Sequence, residues 1–248
     1  MKHTQTLAAF VIGALVGGGA IAATSTGGSV DRAEVEAIVK EYIENNGGVI
    51  MSSVQKWQEQ ERSGKLAKAS EVLKDPEIQK AIYENPHSAV IGNPDSKAVV
   101  VEFFDYNCPA CKMAFKAIDE LIAKDKDVKV ILKEFPIFGP VSDTNAKIGL
   151  AVYKLAPGKY YDFHKKMMSI EGRADEAMAT KFATEVGISE ADLKAEVAKP
   201  EYDQIVSSMK ELASKLGLQG TPSIVIGDEL IPHALDYNGL EEKLSKIR

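Results

Sequence analysis

The stretch that decides the fold is residues 99–113, Val-Val-Val-Glu-Phe-Phe-Asp-Tyr-Asn-Cys-Pro-Ala-Cys-Lys-Met. Its first six residues are almost all β-branched or aromatic, which is typical of a buried strand. Apolar residues at helical spacing follow the cysteines, so the pattern predicts a strand, a polar turn and then a helix that begins at the cysteine pair. The chain contains two cysteines, so Cys108 and Cys111 can pair only with each other, with a metal or with another molecule.

The predicted start of a helix is a favourable place for a reactive thiol. Backbone N–H groups are unpaired there and carry partial positive charge, which stabilises a thiolate and lowers its pKa. Pro109 suits the first helical position, because its missing N–H would have had no partner there. Cys111 lies three residues after Cys108 and precedes apolar residues. We therefore expect Cys108 to be the attacking thiol and Cys111 to be the less exposed, resolving thiol.

Composition limits the classes of function. At 248 residues and 45% hydrophobic content, the chain can bury the core of one ordinary domain and carry an appendage. The net charge is −6 and the basic residues are spread out, which argues against nucleic-acid binding. A disulfide between Cys108 and Cys111 would close a very small loop and would stabilise the fold little, because small loops remove little entropy from the unfolded chain. The pair is therefore expected to do chemistry.

Residues 1–22 are predicted to be a secretory signal peptide. Residues 7–21 are apolar and rich in glycine and alanine, and Ala20-Ile21-Ala22 has the small-x-small pattern of a cleavage site. An uncleaved membrane anchor is the alternative, for which the apolar run is slightly short. The sequence thus predicts an exported protein.

A helical arm is predicted over residues 23–63, followed by a helical linker over residues 64–86. Apolar residues recur at helical spacing in its first helix: Val35, Ile38, Val39, Tyr42 and Ile43. Residues 31–63 are too few to bury a core by themselves. They must pack on the main domain or on another copy of the chain, and the polar segment that follows favours self-association.

The main domain is predicted to span residues 87–248. Strands are expected near residues 90–91, 98–105, 128–135, 223–226 and 229–231, and helices over 108–124 and 237–247. A block of helices over about 142–217 separates the third strand from the fourth. This order predicts the α/β class, with a mixed central sheet and a large all-helical insertion.

Taken together, these features resemble the DsbA family of thioredoxin-fold oxidoreductases. The resemblance rests on Cys-Pro-x-Cys after a strand that ends in Glu-Phe-Phe, on the helical insertion, and on Gly220-Thr221-Pro222 before a strand. It implies a thioredoxin fold, a periplasmic thiol–disulfide oxidoreductase that acts on exported proteins, and no cofactor or metal. The arm is similar to the oligomerising extensions of ScsC-type proteins, which implies a dimer or a trimer.

The resemblance also assigns roles to particular residues. Cys108 matches the nucleophile of the family and Cys111 matches its buried partner. Thr221-Pro222 matches a loop whose proline is cis and lies against the cysteine pair, which leaves the backbone at Thr221 free to pair with a bound peptide. Glu102 matches a buried acid beneath the site that accepts or relays the proton of Cys111.

Two positions bear on the direction of the reaction. Ala110 stands where many family oxidases have histidine, so the Pro109-Ala110 dipeptide lacks one stabiliser of the Cys108 thiolate. We therefore expect a weaker oxidant than the family prototype, because a stabilised reduced state is what makes a strong oxidant. Threonine before the cis proline resembles the isomerases and reductases of the fold. These features, together with self-association, favour disulfide isomerisation beside oxidation, with a membrane redox partner that oxidises or reduces the pair.

A copper carrier is the main alternative. Two soft thiolates at this spacing suit Cu(I), whereas zinc would need further ligands. His87, His164 and His233 are scattered through the sequence and are interpreted as surface or core residues. A purely structural role for the cysteine pair is the least favoured interpretation.

Overall fold

A computed structural model describes residues 31–248. The predicted signal peptide and the first residues of the predicted arm lie outside the described residues. The chain divides between Lys56 and Trp57 into two compact units. Among the described residues, no helix has the length and the apolar character needed to cross a membrane.

The described part of the N-terminal unit, residues 31–56, is helical, as its apolar spacing predicts. Helix α1 spans Arg32–Asn45 and begins after Asp31, whose carboxylate accepts a hydrogen bond from the backbone N–H of Ala33 at 3.4 Å. Helix α2 (Gly47–Val72) begins in this unit. The large apolar side chains here are exposed: Val35, Ile38, Val39, Tyr42, Ile43, Val49, Met51 and Val54. Exposed apolar residues in such a continuous row are unusual in a soluble monomer.

The segment predicted as a linker, residues 64–86, belongs to the second compact unit instead. The end of α2 and helix α3 (Pro76–Tyr83) bury apolar side chains in its core: Ala69, Leu73, Ile78 and Ile82. The buried Lys133 also donates hydrogen bonds to Ala81 O at 2.9 Å and to Ser88 Oγ at 2.8 Å. Polar residues between these apolar positions make the segment resemble a solvated connection in the sequence, although its apolar face packs on the sheet.

The second unit is built on a five-stranded mixed sheet, as predicted. Its strands are β1 (Ala89–Gly92), β2 (Val99–Phe104), β3 (Lys129–Glu134), β4 (Ser223–Ile226) and β5 (Glu229–Ile231), in the order β1-β3-β2-β4-β5. Strands β2 and β3 run parallel, whereas the other neighbours are antiparallel. Strand β2 therefore lies in the middle of the sheet, and it is the strand that leads to the cysteines.

Helices cover both faces of this sheet. On one face, α4 (Pro109–Lys124), α10 (Tyr237–Ser245) and most of the helical insertion pack against Val100 and Phe104. On the other face, α3 and the last helix of the insertion pack against Val101 and Phe103. The insertion consists of α5 (Pro140–Leu155), a 3₁₀ turn (Pro157–Lys159), α6 (Tyr160–Met168), α7 (Glu176–Glu185), α8 (Glu190–Val197) and α9 (Glu201–Lys215). The end of β2 thus lies at the sheet's boundary with the insertion.

Candidate active site

The cysteine pair lies where β2 passes through a turn into α4. Cys108 is the residue that precedes the first turn of α4, and Pro109 occupies the first helical position. The predicted helix start is therefore confirmed. Both thiols are free, and both are buried: Cys108 is 3% exposed and Cys111 is 0% exposed. Cys111 is the less exposed thiol, but the difference in burial is small, and the two sulfurs differ mainly in acidity.

The two thiols have opposite pKa shifts. The pKa of Cys108 is lowered to about 6, and the hydrogen bond from the Cys111 side chain makes the largest contribution. Smaller contributions come from the Thr221 side chain and from the backbone N–H groups of Cys111 and Ala110, whereas burial opposes the shift. Burial, the Cys108 hydrogen bond and the charge of Glu102 raise the pKa of Cys111 far above its ordinary value. At neutral pH the reduced pair therefore carries one thiolate, on Cys108.

The loop before β4 covers the Cys108 sulfur. The Thr221–Pro222 peptide bond is cis, as the resemblance implies. The Cys108 thiol lies 3.2 Å from the backbone oxygen of Thr221, to which it donates when protonated. The side-chain hydroxyl of Thr221 is buried and has no hydrogen-bond partner among the described residues. This hydroxyl is thus available to donate to the thiolate once the Cys108 proton has left.

The Thr221→Val variant tests that contribution. Because valine removes the hydroxyl and keeps the shape, we expect the pKa of Cys108 to rise by about half a unit to one unit. The ultraviolet absorbance of the thiolate, followed as a function of pH, measures the change. Thr221→Ser is the matched control, since it keeps the hydroxyl and should leave the pKa close to that of the wild type. Equal shifts in the two variants would show that the hydroxyl contributes nothing.

Glu102 lies in the interior near both cysteines. Its side chain is 0% exposed, and neither carboxyl oxygen has a hydrogen-bond partner among the described residues. Burial, with a smaller effect from the charge of Cys108, raises the pKa of Glu102 to about 8. The carboxyl group is therefore mostly protonated at neutral pH, and it holds a proton near Cys111.

The turn between β2 and α4 is held by the buried Asp105. Its carboxylate accepts hydrogen bonds from the backbone N–H groups of Asn107 at 2.7 Å, Ile137 at 2.7 Å and Phe138 at 3.2 Å, and from the Ser142 hydroxyl at 2.8 Å. In the sequence, Asp105 is recognisable only as part of a polar turn. Aspartate at such a position commonly bonds the backbone two residues on, but its bonds to the segment after β3 appear only in the folded chain.

The helical insertion is attached to the same turn. Asn107 exchanges two hydrogen bonds with Ala174, accepting from its N–H at 2.7 Å and donating to its oxygen at 3.2 Å. Lys112 donates to Ile170 O at 2.8 Å and to Gly172 O at 2.6 Å. The loop between α6 and α7 therefore lies directly against the residues that flank the cysteines, and neither contact was predicted from the sequence.

Exposed apolar side chains border this turn. Met113 lies two residues after Cys111 on α4, and Ile137, Phe138 and Val141 follow β3, where Asp105 and Ser142 hold the backbone. Four of the exposed large apolar residues of the second unit are thus close in sequence or in hydrogen bonding to the active-site turn. We define Met113, Ile137, Phe138 and Val141 as the apolar rim.

The histidines are not grouped with the cysteines. His164 is buried in the core, and His87 and His233 are exposed. Among residues 31–248, no group of three or more histidine, cysteine, aspartate or glutamate side chains is placed to hold a metal ion.

Comparison with known proteins places this chain in a family. A family model described as Thioredoxin matches residues 84–246. The chain belongs to the thioredoxin family. Disulfide bond formation protein D of Bacillus subtilis (strain 168) is 29% identical to it over 167 residues, which are 63% of this chain and 75% of that protein.

Solved structures of other thioredoxin-family proteins resemble this one. The catalytic domain of Proteus mirabilis ScsC is 30% identical, with a TM-score of 0.65, over 71% of this chain and 97% of that one. The thiol-disulfide exchange protein alpha-DsbA2 from Wolbachia pipientis is 30% identical, with a TM-score of 0.67, over 73% of this chain and 96% of that one. This thioredoxin-family protein is a thiol–disulfide oxidoreductase.

Proposed function

We propose that this protein is an exported, self-associating enzyme that rearranges wrong disulfides in protein substrates through Cys108 and Cys111, with oxidation of substrate thiols as its second mode. The observation that carries the proposal is the asymmetry of the pair. Cys108 has a pKa of about 6 and is a thiolate at neutral pH, whereas the pKa of Cys111 is raised and its thiol keeps its proton.

Isomerisation begins with the reduced pair. The Cys108 thiolate attacks one sulfur of a substrate disulfide, a Cys108–substrate disulfide forms, and the other substrate sulfur leaves as a thiolate. A substrate thiolate then attacks the substrate sulfur of the mixed disulfide and releases the Cys108 thiolate. Neither the enzyme nor the substrate has then gained or lost electrons.

Oxidation begins with the Cys108–Cys111 disulfide. A substrate thiolate attacks Cys108, and Cys111 leaves as a thiolate that takes up the proton of Glu102. A second substrate thiolate attacks the substrate sulfur of the mixed disulfide, which forms the substrate disulfide and releases the Cys108 thiolate. The two electrons removed from the substrate stay on the enzyme until a membrane redox partner accepts them. For isomerisation, a partner that supplies electrons would keep the pair reduced.

The acidity of Cys108 supports a weaker oxidant than the family prototype. Attacking cysteines in this fold have pKa values from about 3.5 in DsbA to about 7 in thioredoxin. At about 6, Cys108 lies nearer to thioredoxin, so the reduced state is stabilised less than in a strong oxidant. The backbone N–H groups and Thr221 compensate in part for the histidine that Ala110 replaces.

The apolar rim supports protein substrates. Non-native polypeptides expose apolar segments, and a rim of exposed apolar side chains next to the turn that carries Cys108 offers them a surface on which to bind. The backbone oxygen of Thr221 lies 3.2 Å from the Cys108 sulfur. A substrate strand that pairs with the backbone of Thr221 would therefore bring its cysteine close to Cys108.

The N-terminal arm supports self-association. The exposed apolar side chains of α1 form a stripe along the helix, namely Val35, Ile38, Val39, Tyr42 and Ile43. A second copy of the same stripe would bury it. The ScsC variant that carries a linker deletion covers 90% of this chain and 98% of its own, at 26% identity and a TM-score of 0.67. That likeness extends beyond the catalytic domain into the N-terminal region. A relative described as a periplasmic thioredoxin-like protein from Salmonella enterica serovar Typhimurium, 28% identical, supports export.

Charge placed in the stripe tests self-association and its link to isomerisation. In protein that lacks residues 1–22, we expect the wild type to be a dimer or trimer and the Ile38→Asp/Tyr42→Asp variant to be a monomer, because aspartate in an apolar interface is costly to desolvate. Light scattering measures the mass, and recovery of a scrambled disulfide-bonded substrate measures isomerisation, which should fall by about tenfold. Lys40→Asp on the opposite face of α1 is the control.

Two outcomes would contradict the proposal. A wild-type protein that is a monomer would refute self-association and favour a plain oxidase. Stoichiometric copper in the purified protein, with no repair of the scrambled substrate, would refute the enzymatic proposal and favour a metal carrier.

A further inference from the structure

A second buried carboxyl group lies on the same face of the sheet as Glu102. Strands β2 and β3 are parallel, with Glu102 opposite Leu132 and Phe104 opposite Glu134. Because side chains alternate along a strand, Glu102 and Glu134 are diagonal neighbours on one face. Glu134 is 3% exposed. Its Oε1 atom, like both oxygens of Glu102, has no hydrogen-bond partner among the described residues.

Tyr106, which lies next to Glu134, belongs to a cluster of three aromatic polar groups. The hydroxyl oxygens of Tyr106 and Tyr160 are 3.2 Å apart, and each lies 3.4 Å from Nδ1 of His164. All three side chains are buried. The three polar atoms therefore form a closed triangle in which each has the other two as neighbours.

Gly149 on α5 shows how closely the carboxyl group packs against this triangle. A Cβ atom added at Gly149 would lie 2.6 Å from Glu134 Oε1 and 2.8 Å from the Tyr106 hydroxyl oxygen. The carboxyl group and the phenol therefore share the space that the missing side chain leaves. Tyr106 is part of the turn that carries Cys108, so Glu134 lies next to a residue of the active-site turn.

The charges around Glu134 all oppose its ionisation. Burial raises the pKa of Glu134 well above its ordinary value, and the negative charge of Asp105 raises it further, although the neighbouring Tyr106 hydroxyl lowers it in part. Burial lowers the pKa of His164 to about 3, so the imidazole is neutral and supplies no compensating positive charge. Burial also raises the pKa of Tyr106 and Tyr160, whose phenols stay protonated.

We propose that Glu134 is a positioning residue that keeps its proton throughout the reaction, holds Tyr106 and the turn that carries Cys108, and leaves proton exchange with Cys111 to Glu102. When Cys111 leaves as a thiolate, the proton of Glu102 moves to the Cys111 sulfur and Glu102 becomes a carboxylate. Neighbouring buried carboxyl groups do not both ionise readily. A second anion at Glu134 would oppose this step and would also destabilise the Cys108 thiolate.

Infrared spectroscopy of the full chain tests the protonation of Glu134 directly. The C=O stretch of a protonated carboxyl group disappears when the group ionises. In the wild type we expect one such band to titrate near the pKa of Glu102, about 8, and to be absent from Glu102→Gln. A second band should persist through neutral pH, because the pKa of Glu134 is raised well above its ordinary value, and it should be absent from Glu134→Gln. The inference is wrong if the band that disappears in Glu134→Gln titrates at or below neutral pH in the wild type. It is also wrong if this substitution removes no band.

The acidity of Cys108 tests the positioning role. We expect Glu134→Leu to raise the pKa of Cys108 and to slow its reaction with a small disulfide by about tenfold. Glu134→Gln should restore the pKa of Cys108 and bring the reaction rate to within about twofold of the wild-type rate. Leucine fills a similar volume without a polar end, so a packing role alone would leave the pKa of Cys108 close to that of the wild type in both variants. The role is refuted if Glu134→Gln shifts the pKa of Cys108 as far as Glu134→Leu does. Should the leucine variant fail to fold, the infrared comparison still decides.

The activity readout rests on the proposed role of Cys108 as the attacking thiol, whereas the infrared readout does not. A missing persistent band would overturn the role of Glu134 and leave the proposed function intact. A wild-type protein without disulfide exchange would overturn the proposed function and leave the infrared assignment intact.

Discussion

Replacing Cys108 with serine is expected to reduce disulfide exchange by about a thousandfold or more, because the variant has no thiolate to attack or be attacked. Replacing Cys111 with serine should have a different effect. Cys108 remains able to attack, but no resolving thiol follows, so a mixed disulfide between Cys108 and the substrate should accumulate. Turnover of a scrambled substrate and mass spectrometry of the trapped species measure the two outcomes.

The two serine variants serve as controls for each other. Both replace a buried thiol with a hydroxyl of similar size, so both should keep the circular dichroism spectrum of the wild type. A mixed disulfide that accumulates on Cys111 in the Cys108→Ser variant would reverse the assigned roles. Full turnover by either variant would show that the pair does not act as attacking and resolving thiols.

Glu102→Gln is expected to change how stability depends on pH. Folding raises the pKa of Glu102 from 4.5 to about 8, so the folded state holds its proton where the unfolded state has lost it. The stability present below pH 4.5 is therefore lost as the pH rises toward 8. Glutamine does not titrate, so the free energy of unfolding of the variant, relative to that of the wild type, should rise with pH. The rise should be about 1.4 kcal/mol per pH unit, or about 4 kcal/mol across this range.

Urea unfolding of the reduced proteins at about pH 5 and about pH 8 measures this difference. Cys108 titrates in both proteins, so its contribution cancels. Glu211→Gln, at an exposed glutamate on α9, is the matched control and should follow the wild type at both pH values. A constant difference between Glu102→Gln and the wild type would mean that Glu102 has the same pKa in the folded and unfolded states.

The order of elements could be read from the sequence because local signals mark their ends. Strands β4 and β5 match the predicted ranges, since Thr221-Pro222 precedes the first and Gly227-Asp228 separates the two. The helical insertion, from α5 to α9, matches the block predicted over about 142–217 within a few residues, because glycine and proline mark its ends. The cysteine pair at the start of α4 follows from the change of a strand pattern into a helical pattern around Cys108.

The surroundings of the site could not be read in the same way, because they depend on residues far apart in the sequence. Thr221 covers a sulfur 113 positions earlier. Glu134 stands next to Lys133 in a strand pattern, and nothing local shows that both are buried on opposite faces. Tyr106 and Gly149 lie on different elements, and only the fold brings them to Glu134. The resemblance to a family supplied Glu102 but not this second carboxyl group.

The hydrogen bonds between the loop that joins α6 to α7 and the side chains of Asn107 and Lys112 have a consequence for engineering and for evolution. A change in the length or sequence of that loop acts on the backbone beside the cysteines without altering either of them. The reactivity of the pair can therefore be adjusted from a segment about sixty positions away that carries no catalytic group. Substitutions in this loop can therefore change the redox behaviour of a related protein while its Cys-x-x-Cys motif stays the same.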